Sequence, residues 1–252
     1  MMSVSMTPRL RAWAAFGRND LRGTYRDPLL VMLVLAPAIW TIGTAVVVPR
    51  LSVALAQRYD FDLVPYYPLV VTGLLLLTSI IIVGGLAAFL VLDEIDAGTL
   101  TALRVTPVTL ASFFGYRAAT VVAVTTAYVA VTIPLTGLLP SSVVWPLIPI
   151  GMVAGLSSVV TMLLIVAVAS NKVQGIAMLR LLGLLIAGIP CLPWFVDSAW
   201  NLAFGVLPPY WAAKAFWVAC ANGTWWPYLI GGVVFNAAAG WPLLRRFVAK
   251  NT

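Results

Sequence analysis

The sequence predicts an all-α polytopic membrane protein, with six transmembrane helices, an N-terminal amphipathic interfacial helix and short extracellular re-entrant helices between the fifth and sixth spans. Three observations carry the prediction. Of the 252 residues, 62% are hydrophobic and 9% charged, where soluble domains carry roughly a quarter charged residues. The charges cluster, leaving 28–49, 63–92, 118–171, 181–196, 198–213 and 215–244 bare, and about 20 apolar residues cross the roughly 30 Å hydrocarbon layer as a helix. Lys and Arg are also shared unequally between alternate connecting segments, as expected where positive short loops stay in the cytoplasm.

The chain begins with a basic prelude. In "PRLRAWAAFGRNDLRGTYRDP" (8–28), Leu10, Trp13, Ala14, Gly17 and Leu21 share one side of a helical wheel, with Arg11, Arg18 and Arg22 on another. Residues 8–26 read as a helix lying against membrane lipid at the cytoplasmic interface. A basic flank that only fixes topology is the plainer alternative. Asp27 and Pro28 look like an N-cap followed by proline at the first helical position. They open a first span over 29–49, which outruns the roughly 7–15 residue apolar core of a signal peptide and reads as an uncleaved anchor.

Further spans fall near 66–92, 113–138, 147–169, 179–196 and 226–244, and "GLLPSSVVWP" (137–146) supplies the turn between the third and fourth. The fifth is short and carries Pro190 and Pro193 near its end, so a re-entrant hairpin is the alternative there. Residues 50–65 read as a short outer loop with Arg50, Arg58, Asp60 and Asp62 solvated. The 197–225 segment is rich in Trp, which favours the membrane–water boundary. It reads either as two short helices broken at Pro208-Pro209, in or dipping into the outer leaflet, or as an aromatic belt without further role. Residues 1–252 thus form one membrane domain, and any large soluble machinery belongs to another chain.

Orientation follows from the cations. With both termini cytoplasmic, twelve of the fifteen Lys and Arg residues lie inside, and only Arg50, Arg58 and Lys214 lie outside. The net charge of +7 is then a signal of topology in the plasma membrane, with no soluble basic surface for nucleic acid.

Much chemistry is missing. The absence of histidine removes most acid–base and metal-site designs. Cys191 and Cys220 both fall toward the outer side, as a disulfide or as two small apolar fillers. Lys172, Lys214 and Lys250 never follow a glycine, so no Gly-Lys-Ser/Thr phosphate loop exists. The expectation is a non-catalytic chain with no metal and no cofactor of its own. The spans hold no acid, and Arg117 and Arg180 are expected to snorkel from near the cytoplasmic ends, which disfavours a self-powered pump. Polar residues at depth read first as helix-packing groups. Trp40, Thr78, Tyr128 and Asn236 are the candidates for a substrate pathway, whose apolar and aromatic lining suits an amphiphile.

One stretch stands out, "LDEIDAGTLTALRVTP" (92–107), which begins at the last residue of the second span and opens the 93–112 connection. Its acids can mark the water boundary, bind a cation or dock a partner. Docking accounts for more of it: Gly98 breaks the helix, Thr99 can cap a new one, and Leu100, Leu103 and Arg104 recur at helical spacing before Pro107. The product would be a short helix held crosswise beneath the membrane.

Glu94-Ile95-Asp96-Ala97-Gly98-Thr99-Leu100, then Leu103 and Thr106-Pro107, resembles the first cytoplasmic loop of ABC-2 type transporter permeases. The six spans, the prelude and "LPPYW" (207–211) fit that family too, so the resemblance covers nearly the whole chain. It implies the membrane subunit of an exporter: two permeases, identical or homologous, with two separate ABC ATPase subunits that bind ATP and Mg. Carried over, Glu94, Asp96, Gly98, Thr99, Leu100, Thr106 and Pro107, with Arg104 among them, would couple to the ATPases. The re-entrant helices would cap the pathway. Asp96 stands where glutamate is commoner, a shorter reach with the same charge. The chain looks most like actinobacterial drug-export permeases, including those assigned to fluoroquinolone export. Export of a lipid or polymer precursor shares this architecture. A membrane scaffold or intramembrane enzyme is the reading from another class, against which the loop and the missing histidine weigh.

Overall fold

A computed structural model describes residues 17–18, 20, 25–98, 110–196 and 198–251, which contain helices and no strand. Helix α1 spans Pro28–Tyr59. The second span is composite: a 3-10 turn Val64–Tyr66, α2 (Tyr67–Val71), a π turn Thr72–Leu77 and α3 (Thr78–Asp96). Then come α4 (Leu110–Leu135), α5 (Leu147–Val168) and α6 (Lys172–Ala187). Two 3-10 segments, Ile189–Phe195 and Ala199–Val206, lead into α7 (Pro208–Cys220) and α8 (Trp226–Asn251). Among the described residues six helical stretches are long and apolar enough to cross a membrane: Leu30–Tyr59, Val64–Asp96, Ser112–Leu135, Leu147–Val168, Lys172–Phe195 and Trp226–Phe247. The chain is a multi-pass membrane protein.

Two boundaries differ from the sequence expectation. The first span does not end at 49; α1 runs on through Arg50 and Arg58, so most of the expected outer loop is helix. "RLSVALAQRY" is made of good helix formers, and the helix stops only before Asp60, whose φ is 51°. The fifth span begins at Lys172 rather than 179. Asn171 caps it, its Oδ1 accepting from Gln174 N at 3.0 Å, while Gln174 Oε1 accepts from Ser170 N at 2.9 Å. Reading spans from charge-free runs misses such starts, because a helix tolerates a Lys or Arg that reaches water.

The bundle has an inner and an outer layer. The apolar windows of the second and fourth spans are 72% and 78% buried, against 11–22% for the other four. Helix α5 is accordingly apolar on every side. Gly151 and Gly155 lie one turn apart on it, and a Cβ at these positions would sit 2.9 Å from Thr126 Cα and 2.7 Å from Val122 Cα. Small residues four apart let the α4 backbone rest directly on α5. Beside them Thr125 Oγ1 donates to Ser158 Oγ at 3.1 Å. Most other hydroxyls at depth, such as Thr126, Ser157 and Thr161, donate to carbonyls four residues back.

In the π turn, Thr72 Oγ1 donates to Pro68 O at 2.7 Å and Thr78 Oγ1 to Gly73 O at 2.9 Å. These hydroxyls serve carbonyls where the regular ladder changes pitch. Helix α7 is too short to span. Its Tyr210, Ala212, Ala213, Ala215 and Phe216 are fully buried, among α5, α8 and the second span. The Pro208-Pro209 pair forms its first turn. Trp145, Trp200 and Trp226 are exposed while Trp211 and Trp217 pack inward, so the Trp residues divide between a belt and a core.

Candidate functional site

Arg117, on α4, does not snorkel. It is 2% exposed, with Nη1 donating to Asp20 Oδ2 at 2.7 Å and Nη2 to Glu94 Oε1 at 3.2 Å. Tyr116 Oη donates to the same Asp20 oxygen at 2.9 Å. The guanidinium lies 5.5 Å from the Phe113 ring centroid. Lys172 at the start of α6 pairs with two acids near Asp20 and Glu94 in sequence: Asp27 and, at 2.9 Å, Asp93. Two cations thus tie the N-terminal segment to α3, α4 and α6 against four carboxylates. Arg117 Nε and Glu94 Oε2 are buried with no partner among the described residues. A lone buried cation demands such partners, but they lie 97 and 23 positions away. The one hint in the sequence is that Arg117 is the only charge between Arg104 and Lys172.

A cleft runs from this ionic cluster along α1 and α4. Its first part is a cavity of about 440 Å³ between α1, α3 and α4, walled by residues such as Val31, Leu35, Val83, Leu86, Val121 and Val124. Asp20 and Arg117 lie at one end and Tyr128 borders it further along α4; eleven residues of helix are about 16 Å. The second part, about 490 Å³, continues between α1 and α4 to Leu135. Both share Val34 and Tyr128, and Tyr128 Oη donates to Val34 O at 3.0 Å across the cleft.

The structure brings together three of the four residues expected along a pathway. Trp40, Thr78 and Tyr128 border one small void of about 10 Å³ beside the cleft. Asn236 is elsewhere, buried on α8 with Nδ2 donating to Gly232 O at 2.8 Å. Its Oδ1 is buried without a partner among the described residues.

In the expected coupling loop, Glu94 is buried against Arg117, Asp96 is exposed, and Gly98 ends α3 with φ of 69°. Thr99, Leu100, Arg104, Thr106 and Pro107 lie outside the described residues, as do Leu10, Arg11, Trp13, Leu21 and Arg22. Arg18 is helical and exposed. Cys191 and Cys220 are free thiols, and burial pushes Cys220 up to about 12, which leaves it a poor nucleophile. No group of residues arranged for a metal ion occurs among the described residues.

The opposite end of the bundle is held by neutral groups. Asn201 Nδ2 donates to Pro193 O and Val196 O, both at 3.0 Å, and Tyr210 Oη donates to Asn201 Oδ1 at 2.8 Å. Trp211 Nε1 donates to Gly205 O at 2.9 Å, and Trp217 Nε1 to Thr72 Oγ1 at 2.7 Å. These bonds fold the 3-10 segments onto α7 and fasten α7 to the π turn.

The family model described as Fluoroquinolones export permease protein Rv2686c-like matches residues 20–244. Two relatives from Mycobacterium tuberculosis are each 68% identical over 251 residues, covering 100% of this chain and of theirs. They are the Fluoroquinolones export permease protein MT2760 of strain CDC 1551 / Oshkosh and the Fluoroquinolones export permease protein Rv2686c of strain ATCC 25618 / H37Rv. No solved structure matches the chain. With a family match across nearly the whole bundle and full-length identity of this order, the chain belongs to the Rv2686c-like family of fluoroquinolones export permease proteins.

Proposed function

We propose that this chain is the membrane-spanning subunit of an ABC-2 type exporter that moves fluoroquinolones or similar amphiphilic drugs out of the cell. The observation that carries the drug-export part is the 68% identity, end to end, with relatives named as fluoroquinolone export permeases. The chain itself is non-catalytic: ATP and Mg bind to two copies of a separate ABC ATPase, and a second permease, identical or homologous, completes the membrane part. Both termini are cytoplasmic.

The ATP-driven part is supported by the loop resemblance together with what flanks it. Glu94 lies in the last turn of α3, which ends at Asp96 where the loop begins, and it is joined through Arg117 to Asp20. A push on the loop is therefore felt by the N-terminal segment and by α4 through one rigid, planar guanidinium. In this reading Asp96, exposed, meets the ATPase, while Glu94 carries the displacement inward. The two membrane halves then exchange between inward-open and outward-open arrangements.

The test is drug accumulation in a host that expresses the chain with its neighbouring ATPase reading frame. Accumulation of a fluoroquinolone should fall only when both are present, and Asp96→Ala should restore it while leaving the chain in the membrane. Unchanged accumulation would remove the drug reading, and export without any ATPase would remove the ABC reading.

A further inference from the structure

The ionic end of the cleft suits one kind of head group. Arg117 and Lys172 face Asp20, Asp27, Asp93 and Glu94. Within these ion pairs two cations are shared among four carboxylates. Both hydrogen bonds to the Asp20 carboxylate arrive at Oδ2, so among the described residues Oδ1 accepts nothing. Arg117, itself lining the cavity, keeps a buried Nε without a partner. The remaining walls are largely apolar, with Tyr25 among them and Tyr128 further along α4. The volume of about 440 Å³ lies within the range of roughly 300–1,000 Å³ usual for small-molecule sites.

We propose that the cavity between α1, α3 and α4 is a loading site within a single subunit for an amphiphile with an aromatic body and a protonated amine. The amine meets Asp20, and the body lies along Val83, Leu86, Val121 and Val124 toward Tyr128. A simple anion is disfavoured, because Arg117 is already shared between two carboxylates. The inference rests on the export reading and names the chemistry its substrate must carry.

Two quinolones test it, one bearing a piperazine ammonium and one with the same ring lacking that amine. Their binding to the purified chain is followed by quinolone fluorescence in nanodiscs of phosphatidylglycerol, a lipid without an amine. Val124→Trp places bulk at a half-exposed lip of the cavity and should weaken both drugs about tenfold or more. Asp20→Asn should weaken the amine-bearing drug about tenfold, the scale of a lost charge-assisted hydrogen bond, and the other less than about twofold, with Asp20→Glu restoring affinity. Leu86→Trp is the second filling variant should the first fail to fold. Equal affinities in wild type and variants would overturn the site. Loss of drug binding when phosphatidylethanolamine replaces phosphatidylglycerol would assign the cavity to a lipid amine and overturn it too.

Cellular accumulation separates this inference from the reading beneath it. Val124→Trp that exports like wild type removes the site and leaves the export reading. Wild type that binds drug but does not lower its accumulation removes the export reading and leaves the site.

Discussion

At the end of the bundle where α3 stops and α4 begins, elements from distant parts of the chain are joined by charges. Arg117 reaches Asp20 and Glu94, and Lys172 reaches Asp27 and Asp93. At the other end, Asn201, Tyr210 and the Trp211 and Trp217 indoles make neutral bonds, most of them between residues less than ten apart in sequence. The difference separates two jobs. A local neutral network with every named donor satisfied makes a rigid plug. An ionic cluster with more acids than cations can exchange partners without leaving a cation bare. Under the proposed ATP-driven reading, movement passed from a partner ATPase would enter at the ionic end.

The largest break in this comparison should come from Arg117→Met. It strands two nearly buried carboxylates and should cost about 3–5 kcal/mol, read as a lowered thermal midpoint of the purified chain. Replacing Asp20 and Glu94 by Leu in the same variant should recover most of that loss, and an uncorrected loss would mean that Arg117 acts by packing. At the neutral end, Tyr210→Phe leaves Asn201 Oδ1 without its donor and should cost about 1–3 kcal/mol, with no dependence on salt. Lys172→Met removes a partly solvated pair, worth about 1 kcal/mol or less. Its effect should shrink between low and high ionic strength, whereas that of Arg117→Met should not. The last test concerns sidedness. A cysteine at Asp62 should react with an impermeant thiol reagent from outside and one at Gly98 should not; the reverse labelling would place the ionic end outside the cell.

The membrane class, the six crossings and several stops were legible because each depends on near neighbours. Asp27-Pro28 opens α1, Gly98 closes α3, and Gly137 to Pro146 turns the chain. Span lengths were less legible. Arg50 and Lys172 ended the apolar runs on paper, yet their side chains extend from continuous or freshly capped helices. The ionic cluster was illegible because no local pattern ties residue 20 to residue 117. The expectation that Arg117 would find water ignored that two carboxylates could be brought to it. For the pathway, aromatic Trp40 and Tyr128 with Thr78 did converge, since the apolar faces of α1, α3 and α4 meet there. Asn236 did not, because polarity without a helix phase says nothing about direction.

That question of phase returns at the six-residue π turn Thr72–Leu77. A π turn holds an extra residue, and one residue of α-helix is about 100° of rotation. With the turn present, Thr72 meets Trp217 of the plug while Val83 and Leu86 face the cleft and Glu94 meets Arg117. Ironed into regular α-helix, the same strand of sequence would swing the cleft wall and Glu94 through roughly a quarter of a circle relative to α2. The second span is therefore threaded like a screw with one altered pitch, and that pitch sets the angle at which the two ends of the molecule are clocked against each other.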